Sequence, residues 1–146
     1  MKNEKTYVTL EEYNAYSSRI FNDDLTKQEW KTIAERDEMK KHLGEMYKHL
    51  MPEVGMGATE ILWSDRRAKT IVDVVTPNKV IVRENEVKCL DYYKGDYEIL
   101  EELSCMPQEV FTRRKSGRWV EQGQPDKYGS VFLVLGHRAH YIDPSF

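Results

Sequence analysis

The chain has 146 residues, with 22 Lys and Arg against 25 Asp and Glu and a formal net charge of −3. This length suits one domain with a modest hydrophobic core. A composition that is 40% hydrophobic and 32% charged is too apolar for a disordered tail. The negative balance argues against a protein whose main work is to coat nucleic acid, so we expect no DNA as the main partner.

Sequence signals for membrane insertion or secretion are weak. The longest apolar run covers residues 131–135, far short of the ~20 residues that a membrane helix needs. The charged N-terminus is not followed by the apolar stretch of a signal peptide. Two cysteines, Cys89 and Cys105, are too few for a disulfide scaffold or a four-cysteine zinc site. We therefore expect a cytoplasmic protein without a membrane partner.

The first fifty residues carry the pattern of two helices. Thr9 and Glu12 form a capping box, in which a hydroxyl and a carboxylate satisfy free amides at a helix start. A second capping box spans residues 26–29, where a second helix is predicted to begin.

The second predicted helix is unusually long. Leu25 and Trp30 occupy the two positions of a hydrophobic staple at its start. The helix should run from about Thr26 to Leu50 and stop ahead of Pro52, because the residue before a proline avoids the helical region. A helix of this length exceeds what a small domain needs, so we expect it to pair subunits in a homo-oligomer, a dimer or higher.

From Gly55 onward the hydrophobic period changes to two, which is typical of strands. A tight turn is predicted at residues 76–78. Many short strands joined by such turns favour a small, strongly bent sheet or a partly open barrel. The predicted fold class is α+β, a single domain with a helical N-terminal arm over residues 1–52 that contains one long helix, followed by a small antiparallel β core over residues 53–146. The predicted strands cover residues 57–63, 68–75, 79–83, 87–93, 97–100, 109–114, 118–121 and 130–136.

Residue patterns typical of metal or catalytic sites are weak. His137 and His140 precede Asp143, but positions three apart in an extended segment face opposite sides, and zinc requires further ligands. Neither cysteine stands in a nucleophile signature, and the sequence contains no Gly-x-Ser-x-Gly elbow and no phosphate-binding loop. We therefore predict no metal, no cofactor and no catalytic residue, and a protein that is not an enzyme.

Patterns for ligand binding are stronger. Two clusters join an aromatic residue to arginines at a strand end, a combination that stacks on a purine and pairs with phosphate oxygens. Asp65 is placed to accept a hydrogen bond from a ribose hydroxyl, and Arg138 adds a further cation if the last strand returns near the second. For Trp63 the alternative is packing in the core. The candidate ligand-binding residues are Trp63, Asp65, Arg66, Arg67, Phe111, Arg113, Arg114 and Arg138.

Three segments of the sequence resemble small accessory proteins encoded by phages. They are residues 55–74 (GMGATEILWSDRRAKTIVDV), 114–120 (RKSGRWV) and 135–146 (LGHRAHYIDPSF). Among such proteins the whole chain is most similar to the Thoeris anti-defence sponge proteins, which have a similar size, a helical N-terminal part, an antiparallel core and an oligomeric state.

This resemblance implies a non-enzymatic phage protein in the cytoplasm of a bacterial host. Its partner would be a small nucleotide signal, the glyco-cyclic ADP-ribose made by TIR-domain sensors, which it would sequester without cleavage. Some members of the family also hold cyclic oligonucleotides. The candidate site residues come from side-chain chemistry alone, because the contacts of the family are not aligned with this chain residue by residue.

Two other functions stay open. The first is a phage inhibitor that binds a host defence protein directly, as anti-CRISPR proteins do, through the acidic stretch at residues 91–109. The second is a small barrel that binds RNA or DNA through the basic hairpin at residues 113–118.

Overall fold

The computed structural model describes residues 7–21, 33–127 and 130–142. The chain separates into two compact units, Met1–Met51 and Pro52–Phe146. The described part of the first unit is mainly helical and that of the second is built of strands, and each is described by itself.

The first unit contains helices α1 (Leu10–Phe21) and α2 (Ile33–Lys48). The capping box predicted for α1 is confirmed. The Glu12 N–H donates to Thr9 Oγ1 at 3.1 Å, and the Thr9 N–H donates to the Glu12 carboxylate at 3.3 Å. These bonds satisfy amides that have no partner inside the helix, which fixes where α1 begins.

Helix α2 is shorter than the sequence predicts. It ends at Lys48 because the chain then pairs with Val8, whose N–H donates to the His49 carbonyl and whose carbonyl accepts from the Met51 N–H, both at 2.7 Å. The predicted start, its capping box and its hydrophobic staple fall at residues 25–30, outside the described residues. With 16 described residues α2 is about 24 Å long, so the prediction of one long helix is wrong. The homo-oligomer inferred from that length stays a prediction.

Seven strands form the described part of the second unit. The predicted strands at 79–83 and 87–93 are one continuous strand, and the predicted tight turn before it is confirmed by the Asn78 N–H, which donates to Thr76 Oγ1 at 3.1 Å. β-branched residues are frequent in the two strands beside that turn, where they suit a pleated surface. In chain order the strands are β1 (Gly57–Ile61), β2 (Arg66–Thr76), β3 (Lys79–Asp91), β4 (Asp96–Leu103), β5 (Glu109–Arg113), β6 (Trp119–Glu121) and β7 (Phe132–Leu135).

Six of these strands close into an antiparallel barrel. The pairing order is β2-β1-β7-β6-β5-β3, and β2 also pairs with β3, which completes the ring. Strand β4 pairs with the second half of β3 and extends the sheet beyond the barrel. The predicted α+β class with an antiparallel β core is confirmed, and the barrel is closed rather than partly open.

The inside of the barrel changes from apolar to charged along its length. Cross-strand partners lie on the same face of a sheet, and Glu60 lies opposite Leu133, Glu109 opposite Val82, and Lys69 opposite Glu84. These charged residues therefore share the inward face with the core. We call this charged end, formed by Glu60, Lys69, Glu84 and Glu109, the barrel mouth. The buried apolar residues of the strands are Ala58, Ala68, Ile71, Val80, Val82, Phe111, Trp119, Val120, Leu133 and Leu135.

Candidate functional site

The segment that follows β7 carries Arg138 back across β1 and β2. Arg66 and Tyr141 form an antiparallel bridge with backbone hydrogen bonds of 2.7 and 2.8 Å, so the return on which the predicted role of Arg138 depends is present. The Thr59 hydroxyl bonds the backbone on both sides of Arg138, at 2.6 and 3.0 Å. Arg138 is thus fixed between two anchor points.

The Arg138 guanidinium is restrained by neutral oxygen atoms. Its Nε and Nη2 donate to Thr70 Oγ1 at 3.2 and 3.0 Å, and Nη2 also donates to the Gly55 carbonyl at 3.2 Å. Within residues 7–21, 33–127 and 130–142, no carboxylate forms an ion pair with Arg138. Its positive charge is therefore held in place, and no carboxylate in the described part of the chain neutralises it.

Gly57 makes room for this arrangement. A Cβ atom at position 57 would lie 2.8 Å from Arg138 Cγ and 3.1 Å from its Nη1. Since real Cβ contacts are longer than the first of these distances, any other residue would displace the arginine. The glycine lets the Arg138 side chain lie flat across β1.

Arg138 lines a pocket of about 450 Å³ on the second unit, which we call the Arg138 pocket. This volume lies in the range of about 300–1,000 Å³ that small-molecule sites occupy. Buried Asn85 accepts a hydrogen bond from the Thr70 hydroxyl at 2.8 Å and donates to the Leu100 carbonyl at 2.9 Å. The lining thus combines a cation, hydrogen-bonding groups and an apolar wall, and consists of Gly55, Thr70, Asn85, Ile99, Leu100, Glu101, Leu103 and Arg138.

Trp63 lies in a different place from Arg138. Its side chain is 85% exposed in the turn between β1 and β2, so the alternative that it packs in the core is wrong. Trp63 follows the end of β1, whereas Arg138 lies over Gly57 at the beginning of that strand, and Gly57 and Ile61 are about 13 Å apart. The structure therefore does not bring Trp63 and Arg138 into one pocket.

A second, smaller pocket surrounds Trp63. Its volume is about 200 Å³, and it contains Arg118, a residue of the basic hairpin that was not among the predicted site residues. The signal that would have found it is the cross-strand pairing of β6 with β7, which sequence spacing does not reveal. We call this pocket the Trp63 groove, and it is lined by Ile61, Leu62, Trp63, Arg118, Ser130, Val131 and Phe132.

Arg66 and Asp65 build the turn that presents Trp63. Arg66 Nη1 donates to the Leu62 carbonyl at 3.1 Å and to the Asp65 carbonyl at 2.9 Å. The Leu62 N–H donates to the same Asp65 carbonyl at 3.0 Å. Arg66 therefore uses its guanidinium to brace the turn, and Arg67 lies at the barrel mouth, 3.8 Å from the Glu84 carboxylate.

The second predicted cluster consists of Phe111, Arg113 and Arg114. Its side chains contact other parts of the barrel and its hairpins. Phe111 is fully buried in the core, so its ring has no free face for a base. The Arg113 guanidinium lies 4.8 Å from the Trp119 ring centroid, and its Nε donates to Asn78 Oδ1 at 3.0 Å. Arg114 bonds oxygen atoms of its own hairpin at 2.8 and 3.0 Å. None of the three lines the Arg138 pocket or the Trp63 groove.

The barrel mouth is a charged cluster that was not among the predicted sites. Lys69 Nζ lies 2.6 Å from Glu109, 3.2 Å from Glu84 and 3.5 Å from Glu60, and the lysine side chain is only 4% exposed. A pocket of about 310 Å³ borders these groups together with Arg67. Lys69 stands two residues before core residue Ile71 in β2, and this spacing was the available signal that it faces inward.

Burial and charge change the proton affinities in the barrel mouth. Burial raises the pKa of Glu60, although the neighbouring Lys69 charge opposes this. For Lys69, burial lowers the pKa, but the hydrogen bond to Glu109 and the three carboxylate charges outweigh it and raise the pKa overall. The lysine is therefore a firmly protonated counter-ion for its three glutamates.

The described residues of the last segment, which include both of its histidines, contain no metal-binding arrangement. The His140 ring packs edge-on against Tyr97 with centroids 4.8 Å apart, and burial lowers its pKa. Asp143 lies outside the described residues. In the part of the chain that the structure describes, no group of three or more His, Cys, Asp or Glu side chains is placed to hold a metal ion.

Comparison of the chain with protein-family models, curated proteins and solved structures found no match in any of the three. Among the described residues, neither helix has the length and apolar character needed to cross a membrane.

Proposed function

We propose that this protein binds a nucleotide-derived signal of the cyclic ADP-ribose type in the Arg138 pocket and withholds it without cleaving it. In this role it would act as a phage anti-defence protein in the cytoplasm of a bacterial host. Cyclic oligonucleotides are a second ligand class with the same phosphate and base chemistry. The observation that carries the proposal is the restrained Arg138 guanidinium, whose charge is neutralised by no carboxylate of the described residues.

Arg138 suits a phosphate group for two reasons. A guanidinium donates charge-assisted hydrogen bonds to phosphate oxygens and stays charged at any physiological pH. Thr70 and Gly55 already hold Nε and Nη2, so little side-chain freedom remains to be lost when a ligand binds. The bonds to Thr70 and Gly55 leave the two N–H groups of Nη1 without a partner in the described residues.

The remaining walls of the pocket fit the other parts of a nucleotide. Ile99 and Leu103 offer apolar surface for a base, and the Glu101 carboxylate is an acceptor for ribose hydroxyls. The described lining contains a single carboxyl group and neither histidine nor cysteine, so the described residues supply no general acid and base pair. That composition favours holding a ligand over breaking its bonds.

The proposal is tested by the fate of the ligand. The purified protein is incubated with cyclic ADP-ribose, washed and heat-denatured, and the released molecules are identified by mass spectrometry. We expect intact ligand to be released and the melting temperature to rise while the ligand is bound. Cleaved ligand in the wash would indicate an enzyme, and neither ligand release nor a thermal shift would refute sequestration.

Arg138→Gln sharpens this test. The change removes the charge that carries the proposal, so we expect at least a tenfold loss of affinity, which corresponds to about 1.4 kcal/mol. Lys115→Ala is the matched control, because Lys115 is an exposed cation outside the pocket lining. Equal affinity of Arg138→Gln and the wild type would remove Arg138 from the site.

A specific observation also favours the alternative of a host-protein inhibitor. The β3–β4 hairpin exposes Leu90, Tyr92 and Tyr93 next to acidic side chains of β4, and apolar exposure of this kind marks protein interaction sites. Such an inhibitor would bind its target without any nucleotide. We expect Tyr93→Ala to abolish that binding and to leave nucleotide release by the purified protein unchanged.

The nucleic-acid alternative has less support. Arg113 and Arg114 bond protein oxygen atoms at the hairpin, so their guanidinium groups are engaged within the fold. A basic hairpin that binds RNA or DNA would show an affinity that falls steeply with salt concentration.

A further inference from the structure

Trp63 is an exposed indole on a rigid support. At 85% exposure it is the most exposed large apolar side chain among those described, and such exposure contributes little to the stability of the fold. Its turn is closed by the Leu62 and Asp65 backbone atoms and braced twice by the Arg66 guanidinium. The ring is thus presented to solvent by a structured turn with several cross-links.

The opposite wall of the Trp63 groove is apolar with one fixed cation. The Arg118 guanidinium lies 4.8 Å from the Phe132 ring centroid. Asp126 Oδ1 holds Arg118 Nε at 3.1 Å, and the Lys127 carbonyl holds Nη2 at 2.9 Å. The groove therefore offers an aromatic platform, apolar walls and a guanidinium whose position is set by the protein.

We propose that the Trp63 groove binds a nucleobase, as a site separate from the Arg138 pocket. Planar bases stack on indole rings whatever their sequence identity, and a fixed Arg118 can donate hydrogen bonds to acceptor atoms at the edge of a base. The volume of about 200 Å³ is below the range for larger ligands. It suits one ring system rather than an entire dinucleotide.

The charge of the groove favours a single nucleoside over a nucleic-acid strand. Among the described residues of the lining, Arg118 is the only cationic one, and Asp126 neutralises it. A strand would require several free cations along its phosphates. The Trp63 groove also stands independently of the proposed function, because Arg138 and its partners are absent from its lining.

The test uses adenosine, which has the base and no phosphate, and follows its binding to the purified full chain by calorimetry. We expect saturable binding by the wild type, at least a tenfold loss in Trp63→Ala and a loss of no more than about threefold in Trp63→Phe, which keeps an aromatic face. Val75→Ala is the control, because Val75 is an apolar residue of β2 that is 48% exposed and lines neither the Trp63 groove nor the Arg138 pocket. Melting curves of each variant verify that it is folded.

Two results would overturn the proposal. One is unchanged adenosine affinity in Trp63→Ala, and the other is no saturable binding by the wild type at concentrations up to about 1 mM. Arg138→Gln separates this site from the proposed function, since it should weaken cyclic ADP-ribose binding and leave adenosine binding intact. If Arg138→Gln and Trp63→Ala weakened both ligands equally, the two pockets would not be separate sites.

Discussion

Arg138 and Lys69 are both fixed cations of the second unit, but their charges have different partners. Lys69 lies inside the barrel mouth and contacts three carboxylates within 3.5 Å. Arg138 lies on the outside of the barrel and is held by a hydroxyl and a carbonyl. One charge is more than neutralised by its neighbours, and the other is only positioned by them.

This difference indicates which cation serves the fold and which is open to a ligand. A buried cation that neighbouring carboxylates already neutralise attracts an anionic ligand only weakly, and removing that cation leaves the carboxylates unpaired. A charge held by neutral acceptors keeps its attraction for a phosphate. We therefore propose that Lys69 serves stability and Arg138 serves binding, and substitutions at the two sites should have separate consequences.

The largest expected effect is that of Lys69→Met. The substitution leaves three carboxylates facing one another in the barrel mouth, and breaking a buried ion pair in this way costs about 3–5 kcal/mol of unfolding free energy. Urea denaturation followed by fluorescence measures this loss. Lys88→Met is the control, because Lys88 is exposed in β3, and we expect a change within about 0.5 kcal/mol there.

A double substitution keeps the Lys69 prediction testable if the single variant fails to fold. In Lys69→Met combined with Glu109→Gln, one of the unpaired charges is removed, so part of the lost stability should return. A loss in Lys69→Met no greater than that in Lys88→Met would mean that the barrel mouth does not stabilise the fold.

A smaller effect, on binding, is expected from Gly57→Ala. The new Cβ would lie 2.8 Å from Arg138 Cγ, so the arginine must shift away from Thr70 and Gly55. We expect about a tenfold weaker binding of cyclic ADP-ribose, with a stability loss of about 1–2 kcal/mol from overpacking. Calorimetry measures the first and urea denaturation the second.

Gly44→Ala is the control for that substitution. A Cβ at position 44 in α2 meets no atom within 4 Å, and alanine is the better helix former. This variant should bind as the wild type does and be slightly more stable. If Gly57→Ala also bound as the wild type does, the fixed position of Arg138 would be irrelevant to affinity.

The sequence predicted features that depend on neighbouring residues along the chain. The capping box at Thr9 and Glu12 is confirmed, as are the antiparallel strands and the turn before β3, because caps and turns are local chemistry. Helix α2 ends at Lys48, slightly ahead of the predicted Leu50, because the chain pairs there with Val8, which is distant in the sequence.

The candidate site was less predictable for the same reason. Strand alternation alone does not reveal which strands become neighbours, so Trp63 and Arg138 were placed together and Arg118 was overlooked. Phe111 was read as a surface platform because an aromatic residue beside arginines looks the same in sequence whether it faces solvent or the core. Whether Phe111 faces solvent or the core depends on the closure of the barrel by β2 and β3.

The smallest expected effect is a pH dependence of the free energy of unfolding, which arises from Glu60 in the barrel mouth. Because burial raises the pKa of Glu60 above its ordinary 4.5, the folded chain binds this proton more tightly than the unfolded chain does. The resulting contribution to the free energy of unfolding is fully present below about pH 4.5 and is lost as the pH rises through the raised pKa.

Glu60→Gln removes this titration, so the stability of the variant relative to the wild type should increase from pH 4.5 toward neutrality and then level off. Urea denaturation at constant ionic strength measures the difference, with exposed Glu98→Gln as the control. A difference between Glu60→Gln and the wild type that decreases or stays constant with pH would show that the charges of Lys69 and Arg67 outweigh burial at this carboxyl group.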